Sequence, residues 1–178
     1  TEMRNRIEHL LKMPVANLWI GTFHGLAHRL LRIHHTDARL PQNFQIIDSD
    51  DQVRILRRII KEREGPDAKW TARQIQYFIN AQKDEGLRPN NLENENDFER
   101  QRMISIYREY QNLCEKSGLV DFAELLLRIH ELWRDKPNIL EIYQHKFKHL
   151  LVDEFQDTNS IQYAWLRLLS GNKGIPFV

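Results

Sequence analysis

A single cysteine, Cys114, stands in 178 residues, so no internal disulfide is possible and a reducing cytoplasm is the expected setting. No apolar run approaches the ~20 residues that a bilayer-crossing helix needs, and no membrane partner is expected. No signal peptide is visible, because residues 1–12 read as a charged amphipathic helix. Glycine is scarce: the seven glycines stand at 21, 25, 65, 86, 118, 171 and 174. None belongs to a GxxxxGK[ST] pattern, which excludes a phosphate-cradling P-loop within these residues. Neither sign of charge dominates, since the net value is +1, so composition alone does not point to nucleic acid. No internal repeat or low-complexity stretch is present.

What is there suits a globular protein, with 41% hydrophobic and 29% charged residues, enough for one ordinary domain or two small ones. Charge is unevenly spread: HRLLRIHH (28–35) and RILRRIIKER (54–63) are basic, DSDD and ENEND acidic, each readable as a solvated helical face. Helical periodicity prevails. Met3, Ile7, Leu10 and Leu11 share one face, and Pro14 closes that segment. Phe23, Leu26, Ala27, Leu30 and Leu31 share another. Four further starts carry capping-box spacing: Ser49 with Gln52, Thr71 with Gln74, Asn96 with Glu99, and Asp121 with Glu124. Gly65, Gly86 and Gly118 supply stops, Pro137 opens a last helix of the middle region, and Asn159 to Gly171 brackets one more.

Strand signals lie only toward the two ends. NLWIGTF (17–23), HLLVDEF (149–155) and IPFV (175–178) are short, apolar and partly β-branched or aromatic. This order predicts an α/β fold, predominantly α-helical: segments 1–22 and 148–178 in a parallel sheet, with 23–147 an inserted all-helical subdomain. The chain opens without an initiator methionine and stops in an apolar run, so both ends are expected to continue into something larger.

The apolar run Leu150–Val152 drives into Asp153 and Glu154, with Asp157 close behind. In a parallel sheet, ligands sit beyond the carboxyl ends of the strands. Two adjacent carboxylates there suit nucleotide hydrolysis, one holding Mg²⁺ and the other orienting or deprotonating a water. The plainer reading is that these acids lead into a turn or help cap the helix after Asn159.

The longer string LLVDEFQDTNSIQ (150–162) resembles the Walker B motif of UvrD/Rep-type superfamily 1 DNA helicases. GTFHGLAHRLLR (21–32) resembles that family's TFH segment, GLVDFAELLLR (118–128) a stretch late in its inserted subdomain, and TEMRNR (1–6) the tail of an earlier DNA-contacting motif. The resemblance spans the chain. It implies part of a first RecA-like domain, lacking the P-loop strand, together with its helical insert. Asp153 then corresponds to the Mg²⁺-associated carboxylate and Glu154 to the catalytic base, with Gln156 and Asp157 coupling the nucleotide site to DNA. Thr22, Phe23 and His24 correspond to the single-stranded DNA track. Arg29 and Arg32 are candidate phosphate contacts, with a salt-bridged surface as the competing reading. Lys83 and Arg88 are candidate DNA contacts on the insert. His28, His34 and His35 read as solvated or packed, and the four tryptophans as core.

The resemblance further implies an ATP- and Mg²⁺-dependent parent translocating 3′ to 5′, in DNA repair, on single strands and single-strand/duplex junctions, with repair proteins as partners. Without a P-loop, these residues alone are expected to take no cofactor and to hydrolyse no ATP. The sheet remnants are expected to pack loosely or to pair through exposed edges. Two other readings stay open: a non-catalytic helical module binding DNA or a protein, and a helicase–nuclease relative.

Overall fold

A computed structural model of the protein describes residues 2–12, 14–15, 18–65, 68–92 and 97–171, with only the backbone given for residues 2 and 3. Among these lie eight α-helices: α1 (Glu2–Leu11), α2 (Phe23–Ile33), α3 (Ser49–Glu64), α4 (Ala72–Asp84), α5 (Phe98–Ser117), α6 (Phe122–Asp135), α7 (Pro137–Lys146) and α8 (Ser160–Ser170). Short 3-10 turns occur at Pro89–Leu92 and Phe155–Asp157. No described helix is long and apolar enough to cross a membrane.

The helix starts follow from local hydrogen bonding. Thr71 and Gln74 form the expected reciprocal box at α4, and Asn159 with Gln162 forms another at α8. At α3 the box is absent. Asp48 caps instead, accepting from the Asp50 and Asp51 amides at 2.9 and 2.8 Å. A carboxylate at that position outcompetes the hydroxyl one residue later. This releases Gln52, which is buried and bonds Asn80 at 2.9 Å. At α5 the cap is Asp97, while Asn96 lies outside the described residues. At α6 Asp121 caps the Glu124 amide at 2.8 Å, but the Glu124 side chain turns to three cations rather than back to the cap.

Two apolar cores result. One gathers α2, α6, α7 and α8 around Leu31, Leu126, Ile129, Trp133 and Trp165, with Trp19 and Leu150 against it. The other gathers α3, α4 and α5 around Leu56, Ile75, Ile79, Tyr107 and Tyr110. Helices α2, α6 and α7 thus share a core with α8, across the boundaries at residues 22/23 and 147/148. Helix α1 leaves Leu10 and Leu11 exposed, so its apolar face packs little.

The sheet differs from the sequence expectation. The described residues contain one two-stranded parallel pair, β1 (Gln45–Ile46) and β2 (Leu119–Val120), in register Gln45↔Leu119. It falls inside the region expected to be wholly helical. Gly118 makes it possible: its φ of +64° ends α5 in the left-handed conformation, and an added Cβ would meet Pro41 Cγ at 2.8 Å. The chain then runs straight into β2, and the Gln45 amide reaches the Gly118 carbonyl at 2.8 Å.

Residues 149–155 do not form the expected strand. Leu150 makes one isolated bridge, Leu151 is 84% exposed, and the backbone bends at Asp153 and Glu154. A ladder needs a neighbour for its N–H and C=O groups, and no described segment runs beside Leu151–Glu154. Residues 18–20 are likewise irregular. Asn17, the expected strand 175–178 and Thr1 lie outside the described residues.

Candidate functional site

The acidic stretch is a tight exposed turn. Glu154 adopts φ 52° and ψ 44°, a left-handed conformation that costs a non-glycine residue about 1 kcal/mol. The Asp153 side chain accepts from the Glu154 amide at 3.1 Å, and the Glu154 carbonyl accepts from the Asp157 amide at 2.9 Å. Gln156 Nε2 donates to Glu154 Oε2. The Thr158 hydroxyl donates to the Phe155 carbonyl at 2.8 Å. Asp153, Glu154 and Gln156 are therefore brought together, facing solvent, and neither acid pairs with a cation among the described residues.

No group of three or more His, Cys, Asp or Glu side chains converges on a metal-sized space among the described residues. Mg²⁺ does not require one. It binds through one or two carboxylates, retained waters and phosphate oxygens, and exposed carboxylates that each keep one oxygen free of a hydrogen-bond partner among the described residues suit that coordination.

Thr22, Phe23 and His24 open α2. The Thr22 hydroxyl accepts from the Gly25 amide at 3.2 Å, which makes Thr22 the helix cap. Phe23 packs edge-on against Trp165 at 6.3 Å, and His24 against Phe122 at 5.9 Å. Both rings are half-buried rather than free. Burial lowers the His24 imidazole below its ordinary value, and Asp84 partly offsets this. Arg29 is exposed, with its guanidinium 4.1 Å from the Trp19 ring. Arg32 is committed to structure, bonding the Gln42 and Phe44 carbonyls at 3.1 and 2.9 Å. His34 pairs with the Tyr143 hydroxyl at 2.8 Å.

Lys83 is a correction. Its side chain is 1% exposed, with Nζ 2.7 Å from Asp121 Oδ2 and 2.9 Å from Glu124 Oε2. An ammonium so placed cannot meet a phosphate. Its position on the buried face of α4, beside Ile79, drives it inward. Burial alone would lower it, but Asp121 and Glu124 more than reverse this and hold it raised. Arg88 is similarly occupied, gripping Glu124 at 2.8 and 2.9 Å and Glu131 at 2.8 and 2.6 Å. Arg128 adds 2.7 Å to Glu124. Burial would raise the Glu124 carboxyl; Arg88, Lys83 and Arg128 hold it well below the carboxylate range.

The acidic turn and the start of α2 meet the same helix. Phe155 lies 6.4 Å from Tyr163 on α8, and Phe23 packs on Trp165 of α8. The end of α4 joins them: Ser160 donates to Glu85 at 2.9 Å, and Asp84 and His24 interact electrostatically. The reading of the sequence passed over Asp84, Glu85, Phe122 and Ser160. A signal existed, since two acids at a helix C-terminus oppose its dipole and call for another partner.

This mostly helical domain, with an acidic turn leading into a capped helix, belongs to a known family: residues 1–178 match the UvrD/REP helicase N-terminal domain. Among its relatives, DNA helicase II of Escherichia coli is 56% identical over 173 residues, 97% of this chain. DNA helicase II of Haemophilus influenzae is 51% identical over 97% of the chain. The ATP-dependent DNA helicase PcrA of Staphylococcus epidermidis is 33% identical over 95%. The chain spans about a quarter of the length of these relatives, 24%, 24% and 23% respectively.

Proposed function

We propose that the chain serves within an ATP-driven 3′-to-5′ DNA helicase of DNA repair, supplying its Walker B acids and part of its single-stranded DNA track. The observation that carries this is the acidic turn itself. Two exposed carboxylates, without a cationic partner among the described residues, stand on a strained backbone within the string LVDEFQDTN, in a chain the helicase family matches from residue 1 to 178.

In this reading Asp153 would hold Mg²⁺ when Mg–ATP is bound, and Glu154 would act as the base toward the attacking water. Gln156, donating to Glu154 Oε2, fixes which carboxylate oxygen remains free for the water's proton. Bound Mg–ATP supplies the electrophilic phosphorus and the charge that binds the metal. Thr22, Phe23, His24 and Arg29 face the single strand, with hydroxyl and imidazole toward phosphate or sugar and the guanidinium toward phosphate. Segments 1–22 and 148–178 belong to the RecA-like part, and 23–147 to its helical insert, as an assignment of lineage rather than of packing. These residues alone carry no P-loop, so they do not turn over ATP. Single strands, strand/duplex junctions and repair proteins are the partners.

The test is Glu154→Gln in the complete helicase. Loss of ATP hydrolysis and strand separation with nucleotide binding retained is expected. Unchanged strand separation would overturn the reading in favour of a non-catalytic module.

A further inference from the structure

Three consecutive residues at the end of α4 point to three different partners. Lys83 goes down into the buried ion cluster with Asp121 and Glu124. Asp84 faces His24. Glu85 accepts from the Ser160 hydroxyl at 2.9 Å, in the first turn of α8. Gly86 then turns the chain away at φ +77°, where an added Cβ would lie 3.9 Å from Ile161 Cδ1. A second link runs in parallel: Asp121 binds Lys83 while its neighbour Phe122 packs on His24. His24 is therefore linked, through the Phe122 ring, to the residue that binds Lys83.

The anchor is stiff. Lys83 and Asp121 are 1% and 3% exposed, and parting a buried pair costs several kcal/mol. Displacement of His24 is therefore transmitted through the α4 end rather than absorbed by it, because packed elements shift as units. At the far side, Glu85–Ser160 meets α8 one residue after Asn159, the cap that follows the acidic turn.

We propose that residues 83–85 form a positioning junction through which a single strand held at Thr22–His24 is felt at the acidic turn ahead of α8. This rests on the reading of Thr22–His24 as a strand-binding segment. Lys83 and Glu85 touch no reacting group; they act by placing Ser160 relative to His24, through Asp121 and Phe122 on one side and the Glu85–Ser160 bond on the other.

Amide exchange on the 178-residue chain, with and without a single-stranded oligothymidylate, tests it. Bound strand should slow exchange about fivefold at residues 22–26 and also, at a distance, at 155–163. Ser160→Ala, an exposed substitution that keeps the fold, should abolish the distant effect and leave the local one. Ser160→Thr, which retains the hydroxyl, should restore it, and Glu85→Ala should match Ser160→Ala. Local protection without distant protection, or distant protection that survives Ser160→Ala, overturns the junction while leaving the strand site intact. Absence of protection at 22–26 overturns the strand-binding reading, and the junction with it.

Discussion

The Lys83 ammonium lies 2.7 Å from Asp121 Oδ2, with the two side chains 1% and 3% exposed. That oxygen also accepts from the Tyr110 hydroxyl at 2.7 Å and Gln52 at 3.4 Å, while Oδ1 caps α6 through the Glu124 amide at 2.8 Å. Asp121→Ala should therefore cost about 3–5 kcal/mol, since it leaves a buried cation and a lost cap together. Lys83→Met should cost less, because Glu124 keeps Arg88 and Arg128 and Asp121 keeps its neutral donors. Urea denaturation of both variants checks the order. An Asp121→Ala loss below that of Lys83→Met would contradict the assignment of the carboxylate as the hub.

Arg29 and Lys83 should separate in a salt titration. Arg29 is exposed and sits over Trp19, whereas Lys83 is spent on carboxylates. Each phosphate contact contributes about one counterion to the dependence of log affinity on log salt. Arg29→Ala should thus reduce the slope for single-stranded DNA by about 1. Lys83→Met should leave the slope as it is; a shallower slope there would place Lys83 on the strand after all.

Glu154 occupies a backbone conformation that glycine takes without penalty. Glu154→Gly should leave the stability of the domain within about 1 kcal/mol of the parent, or above it. In the complete helicase the same change should lower ATP turnover by roughly 10²–10⁴-fold, the range typical of a lost general base. Thermal melts and steady-state phosphate release together read both effects. A strongly destabilised but active variant would show the left-handed carboxylate to be a fold element rather than a chemical one.

Helix positions are legible in the sequence because period, cap and glycine stop agree at α4 and α8, and each such signal is local. The caps of α3 and α5 are each misjudged by one residue, as Asp48 and Ser49, like Asn96 and Asp97, are adjacent good caps and only geometry chooses between them. The strands are not legible. Pairing is non-local, and β1 and β2 are two residues each, held by a turn at Gly118 and by Pro41 and Phe44 packed beside it. Lys83 is misjudged for a related reason. A basic side chain near a helix end is ordinarily solvated, and only the approach of α6 supplies the two carboxylates that bury it.

Phosphate release from the 178-residue chain itself should not exceed that of its Glu154→Gln variant, with Mg–ATP and with or without single-stranded DNA. In the proposed reading Asp153 and Glu154 address a metal and a water, but no GxxxxGK[ST] loop stands among these residues to hold the triphosphate. Turnover stimulated by DNA in this chain, and lost on Glu154→Gln, would mean that another segment binds the phosphates.

Stability should fall in two stages as pH drops. Burial holds His24, His28 and His130 below the ordinary 6.5, aided at His28 by Arg32 and at His130 by Arg134. A base whose folded value is depressed takes its proton more readily when unfolded. Its contribution is complete above about 6.5 and declines as pH falls through that value. Glu124 acts lower: its folded value lies well below 4.5, so its contribution is present above 4.5 and is lost as pH falls toward the folded value. Asp84 opposes weakly, because burial raises it. Lys83 is raised above 10.5, so its share is complete below about 10.5 and is lost as pH rises from there through its folded value. Urea midpoints should therefore be level between about pH 7.5 and 8.5, decline modestly as pH falls through about 6.5, and fall steeply below about 4.5; above about pH 9 they should decline again, because burial pushes the Cys114 thiol up to about 11. Replacing His130 with Gln should shrink the first decline and leave the second. A midpoint unchanged from pH 8 to 5 would show that these imidazoles titrate alike in the folded and unfolded chain, and that their burial is not maintained in solution.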